Sequence, residues 1–160
     1  LIRFKKYKYK NTSLYEESME EKSLSVKISI NTRQYDEKGN MDTIEMTAFG
    51  KIFYKNDGIY VIYKEKEENI EITNTIKILK NQVSIKKFGA INSTMLFKCG
   101  ESSTTKYVTP QGTLLIDIDT RELDINIQEG EHIKLKIDYN IKVQDLFLGR
   151  NKIDIYIGTK

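Results

Sequence analysis

From Ser23 onward, apolar positions recur along the chain with a period of two. In SLSVKISINTRQY, Leu24, Val26, Ile28 and Ile30 alternate with Ser25, Lys27 and Ser29, as in a strand with one face on a core and the other in water. The cleanest run is IKLKIDYNIKV, which puts Ile133, Leu135, Ile137, Tyr139, Ile141 and Val143 on one side. NIEITNTIKILK alternates Ile70, Ile72, Ile76 and Ile78 with polar residues, and VSIKKFG, TLLIDIDT, LDINI and KIDIYIG add shorter runs. IYVIYKEKEE and STMLFKC are apolar on both faces over part of their length. MDTIEMTAFGKIFYK reads as a further strand, with a bulge or bend expected at Gly50.

Between these runs lie turn signals. DEKGN, NQ and QEGEH each reverse the chain, with His132 inside the last. In KNDG, Asp57-Gly58 is expected to supply the positive φ angles of a tight primed hairpin turn. "RE" separates TLLIDIDT from LDINI, and QDLFLGRN reads as a loop before the last strand. The sum is nine or ten short strands at regular spacing, which predicts an antiparallel all-β sandwich or barrel. Helical periodicity is confined to a short amphipathic turn over Leu14 to Lys22.

The single proline of the chain, Pro110, stands in KYVTPQGTLLIDIDT. Thr109, Pro110, Gln111 and Gly112 fit a four-residue turn with proline second and glycine fourth. Proline presets φ there, and its missing N–H is harmless just before a strand begins. The expected role is architectural.

The same stretch, Tyr107-x-Thr109-Pro110-x-Gly112 followed by an alternating strand ending in Thr120, resembles the YwiB-like family of uncharacterised bacterial proteins. Gly89, Met95, Phe97 and Gly100, the GKIFYKNDGIYVIYKE hairpin, Tyr139 and Asn151 match in order and spacing, so that the likeness runs from Ser23 to Gly158. Two positions depart from the pattern. Lys87 stands where an arginine is expected, and Gln111 replaces an aromatic. The resemblance implies a calycin-like (lipocalin-like) antiparallel β-barrel of about eight to ten strands, and it implies no activity.

Charge divides the chain in two. Arg3, Lys5, Lys6, Lys8 and Lys10 crowd an acid-free opening, and Glu16, Glu17, Glu20 and Glu21 follow at once. Residues 1–22 are therefore read as a charged, flexible extension and residues 23–160 as one β-barrel domain. The net charge of +3 owes much to that opening, which weakens a nucleic-acid reading based on charge alone. The basic and aromatic alternation of RFKKYKYK could track phosphates and stack on bases, but a plain charged arm is the preferred reading. Lys27, Lys77, Lys134 and Lys136 occupy the polar faces of their strands, the reverse of a membrane barrel. With one cysteine and no long apolar run, a cytoplasmic location without a membrane span is expected.

Candidate chemistry is sparse. His132 is the single histidine and reads as a solvated turn residue, and Cys99 as a buried core thiol on the face of Met95 and Phe97. Asp117 and Asp119 have the opposite parity to Leu114, Ile116 and Ile118, so a solvated outer face is expected. No metal site, cofactor motif or catalytic constellation is expected. What remains is the interior. An eight-stranded barrel is either filled by its own side chains or holds one small guest, and the inward residues are mostly aliphatic. The leading expectation is a non-catalytic barrel binding a small apolar ligand, with Tyr54, Tyr60, Tyr63, Met95, Phe97, Tyr107 and Tyr139 as inward candidates. The alternative is a filled barrel that meets RNA or protein through its tail or its two-faced strands, with a homodimer as one outcome.

Overall fold

The computed structural model describes residues 23–159 except Glu129. These fold into ten strands: β1 (Leu24–Asp36), β2 (Met41–Tyr54), β3 (Ile59–Glu67), β4 (Ile70–Ile78), β5 (Val83–Gly89), β6 (Ser93–Phe97), β7 (Ser102–Thr109), β8 (Gly112–Gln128), β9 (His132–Val143) and β10 (Phe147–Thr159). All pairings are antiparallel. The order across the sheet is β6-β5-β4-β3-β2-β1-β10-β9-β8-β7, a meander whose first and last strands pair with each other.

The sheet curls until β6 and β7 meet. Asn92 and Val108 exchange backbone hydrogen bonds of 3.0 and 2.9 Å, and Gly100 and Glu101 bond the backbone of Thr120. The result is a nearly closed barrel. Because successive turns of a meander alternate ends, the β1–β2, β3–β4, β5–β6, β7–β8 and β9–β10 turns share one end, here the upper. The lower end carries the other turns with Leu24 and Thr159.

Alternation places Val26, Ile28, Ile52, Ile59, Val61, Ile76, Ile78, Ile118, Leu135, Ile137, Ile155 and Ile157 inside, all nearly inaccessible to water. At roughly 1.5–3 kcal/mol per buried aliphatic side chain, this core is the principal stabilising term. The TPQG segment is the upper β7–β8 turn. Thr109 Oγ1 donates to Gly112 O at 2.9 Å and accepts from Gln111 N, and Gly112 takes φ 136°. The proline is architecture.

Several local expectations are corrected. Gly50 causes no bulge: it keeps register with Val26 and Tyr63. Its role is close approach, since a Cβ there would strike the Ile62 carbonyl oxygen and sit 2.9 Å from Tyr63 Cβ. The KNDG hairpin is tight, with Lys55 and Gly58 bonded both ways, but Gly58 has no positive φ and neither has Asn56 or Asp57. It is the fourth residue of the turn, packed against Ile78 O. "RE" does not end a strand; β8 runs on through a bulge, where the register shifts between Thr120 and Glu122. Most of QDLFLGRN is strand, because β1 and β9 flank β10 and supply ladder partners from Phe147 onward. His132 opens β9 rather than lying in a turn, and it stacks on Tyr156 at 5.4 Å.

Candidate functional site

Directly opposed residues of antiparallel strands carry their side chains on the same face. Tyr63, Asn74, Lys87 and Ser93 are opposed in one row across β3, β4, β5 and β6. The next row down is Val61, Ile76, Ile85 and Met95, all in the core or packed on it, so the polar row also faces inward. The Asn92–Val108 bridge brings Tyr107 of β7 alongside Ser93, and Glu65 lies one inward step above Tyr63.

These side chains bond one another. Asn74 Nδ2 donates to Glu65 Oε1 at 2.7 Å, and Lys87 Nζ donates to the same oxygen at 3.1 Å and to Asn74 Oδ1 at 2.9 Å. The triangle descends from the rim into the barrel: the Glu65 side chain is 35% exposed, that of Lys87 24%, and Asn74 is wholly buried. Pairing with Glu65 offsets the cost of taking an ammonium out of water. Beside Lys87, the buried Ser93 Oγ has no hydrogen-bond partner. Burial, and then the Glu65 charge, push the Tyr63 phenol far above its ordinary pKa, and the same two causes raise Tyr107. Both phenols remain neutral donors.

A second polar row crosses the middle of the barrel, with Thr120, Tyr139 and Asn151 opposed on β8, β9 and β10. Asn151 Nδ2 donates to Tyr139 OH at 2.9 Å, while Thr120 Oγ1 and Asn151 Oδ1 are buried without partners. The Phe97 ring closes over Tyr139 at 4.8 Å. Both rings are buried in the core.

Residues 26–155 match the family described as Domain of unknown function (DUF1934). The chain belongs to that family. Its fold is similar to the crystal structure of ywiB protein from Bacillus subtilis, with a TM-score of 0.77 at 20% identity over 86% of this chain and 93% of that one. The Uncharacterized beta-barrel protein YwiB of Bacillus subtilis (strain 168) is 24% identical over 110 residues, 69% of this chain and 77% of its own. The YwiB-like resemblance and the antiparallel barrel expected from it are thereby shown.

In this DUF1934 barrel the interior candidates divide. Tyr63 and Tyr107 belong to the upper polar cluster, with Met95 in the row below. Phe97 and Tyr139 are buried in the core. Tyr54 lies at the lower end, lining a recess of ≈ 60 Å³ with Leu24, Ile52, Ile127 and His132. Tyr60 is a correction: its parity is opposite to that of Val61 and Tyr63, so it stands on the outer wall, where it donates to Asp57 Oδ2 at 2.8 Å beneath Lys55 and Lys77. Cys99 is a second correction. It follows the end of β6, where alternation no longer governs direction, and it is exposed, donating to Arg121 O at 3.3 Å.

Asp117 and Asp119 are exposed on the outer face, accepting from Thr104 Oγ1 at 2.6 Å and Ser102 Oγ at 3.1 Å. A wide concavity of ≈ 500 Å³ also lies outside, between Thr47, Tyr156, Lys134 and Lys136. Among the described residues, no three His, Cys, Asp or Glu side chains converge to hold a metal ion, and no helix is long and apolar enough to cross a membrane. Arg3, Lys5, Lys6, Lys8 and Lys10 lie outside the described residues.

Sequence reasoning missed Glu65, Asn74, Lys87 and Ser93 as a site, although a signal existed. Asn74 interrupts the isoleucine register of β4, Glu65 continues that of Ile59, Val61 and Tyr63, and Lys87 that of Val83 and Ile85. A polar residue in the apolar register of a strand is the feature to search for.

Proposed function

We propose that this barrel binds a small molecule at its upper end without acting on it chemically. The observation that carries the reading is the inward Glu65–Asn74–Lys87 triangle, partly open to solvent and flanked by an unsatisfied Ser93 hydroxyl. A charged network set into an aliphatic wall is costly to bury, and convergent polar groups in a largely apolar recess are the usual make-up of a ligand site. Ile85, Met95 and Leu114 supply apolar surface for the rest of the guest, worth roughly 25 cal/mol per Å² before ordering costs are subtracted. The guest of this reading is small, because Phe97 and Tyr139 occupy the barrel below.

The test is native mass spectrometry of protein purified from its own cells, with a solvent-extracted sample as control. A stoichiometric adduct lost on extraction supports the reading, and a bare mass in every preparation overturns it. An interaction role has one observation in its favour, the exposed Leu115, Leu146 and Leu148 beside the β9–β10 turn, with Leu146 at 72%. The same spectra, recorded over a range of protein concentrations, show whether that surface pairs two copies.

A further inference from the structure

Resting on that reading, we propose that the upper site selects a neutral, oxygen-bearing polar group, such as an amide, ester carbonyl or alcohol, over a free carboxylate. The first argument is a count of hydrogen-bonding capacity. Two of the three Lys87 ammonium protons are engaged, by Glu65 Oε1 and Asn74 Oδ1. That leaves the third proton, the orphan Ser93 hydroxyl and the Tyr63 and Tyr107 phenols as donors. Against them, Glu65 Oε2 is the carboxylate acceptor left without a hydrogen bond among the described residues. The hydroxyls can also accept, but the third Lys87 proton can only donate, and it calls for an acceptor on the guest.

The second argument is charge. Glu65 sits 3.1 Å from Lys87 and neutralises it. Of the other charged side chains nearby, Glu67 shares the parity of Glu65 and is exposed one step further up, Lys64 and Lys66 pair with Glu71 on the outer wall, and Lys86 is exposed there. A guest carboxylate would therefore find no uncompensated cation and would stand against the Glu65 charge, which disfavours its ionised form. A carbonyl or hydroxyl oxygen can accept from Lys87 and Ser93 and leave the ion pair intact. It also satisfies the one buried hydroxyl of the cluster that the fold leaves unpaired, which would otherwise keep its desolvation penalty.

Hexanamide and hexanoate are matched in shape and differ in charge at neutral pH. Titrated into the ¹⁵N-labelled full chain at pH 7, hexanamide is expected to shift the Asn74, Lys87 and Ser93 amides and to bind about tenfold more tightly than hexanoate, as one uncompensated buried charge demands. Glu65→Gln frees the ammonium and should reverse the preference. Ser93→Ala should weaken hexanamide about fivefold without lowering Tm, because its hydroxyl makes no intramolecular bond. Should Glu65→Gln fail to fold, the wild-type ratio and Ser93→Ala decide. Equal or tighter binding of hexanoate to the wild type, or an unchanged ratio in folded Glu65→Gln, overturns the head-group assignment and leaves small-molecule binding standing. No shift at these amides with either compound overturns both.

Discussion

On the outer wall, Asp138 accepts two hydrogen bonds from the Arg150 guanidinium, Nε to Oδ1 at 2.8 Å and Nη2 to Oδ2 at 2.6 Å. Asp138 is almost completely covered although its strand position faces outward. The Arg150 hydrogen bonds, with the Lys152 and Arg121 charges behind them, hold its carboxyl below the ordinary value against the opposing effect of burial. A depressed carboxylate pKa stabilises the fold above the unfolded value of about 3.9 and loses that contribution as pH falls through the folded value. Asp138→Asn should cost about 2 kcal/mol at pH 7. Urea melts at pH 7 and pH 3 should show the gap to wild type narrowing in acid.

Gly50 lies under the Tyr63 side chain, at the strand position opposed to both Tyr63 and Val26. A methyl group there must displace Ile62 O, which is fixed in the sheet, as well as Tyr63 Cβ. Gly50→Ala should lose about 3 kcal/mol through overpacking. Gly39→Ala, in open space at φ 83°, should lose about 1 kcal/mol through backbone strain alone. Denaturant midpoints of the two variants separate these causes.

Burial raises the phenol pKa values of Tyr63 and Tyr139. Each keeps its proton in the folded state above pH 10, where the unfolded phenol, with a pKa of about 10, releases it. Their contribution is therefore full below that pH and declines as pH rises, since the unfolded state then binds fewer protons than the folded one. A titration followed by tyrosinate absorbance should leave both silent until the barrel unfolds. Tyr63→Phe and Tyr139→Phe should each remove one equivalent from the late, cooperative step and none from the early one.

Cys99 is exposed beyond the end of β6. A water-soluble aromatic disulfide reagent should modify one thiol per chain in the native protein, at a rate little changed by denaturant. A thiol in the core would react only on unfolding, so protection of the native protein would refute the observed placement.

The contrast between Cys99 and Phe97 shows how far alternation can be read. Phe97 is the last residue of β6 and points inward as the period predicts, whereas two residues on, the Lys98–Glu101 turn has redirected the chain. Tyr60 failed for a different reason. An apolar-flanked tyrosine reads as inward by residue type, although parity with Ile59, Val61 and Tyr63 places it outside. The upper cluster was legible only as isolated irregularities, because Glu65, Asn74 and Lys87 stand on three strands and nothing local specifies which strands will be neighbours.

The order of apolar and polar residues by itself determined the strands other than β7, with β8 read as two and the start of β10 as a loop, together with the turns at Asp36–Asn40 and Thr109–Gly112, the aliphatic lining and the charged exterior. Those features follow from the pleat, which sends successive side chains to opposite faces whatever the rest of the chain does. Tertiary structure alone decided the pairing of β1 with β10, the closure at Asn92 and Val108, and the meeting of Glu65, Asn74, Lys87 and Ser93 on one inward face. Register between strands is set by hydrogen bonding and packing among segments remote in sequence, and it is register that turns single polar residues into a cluster.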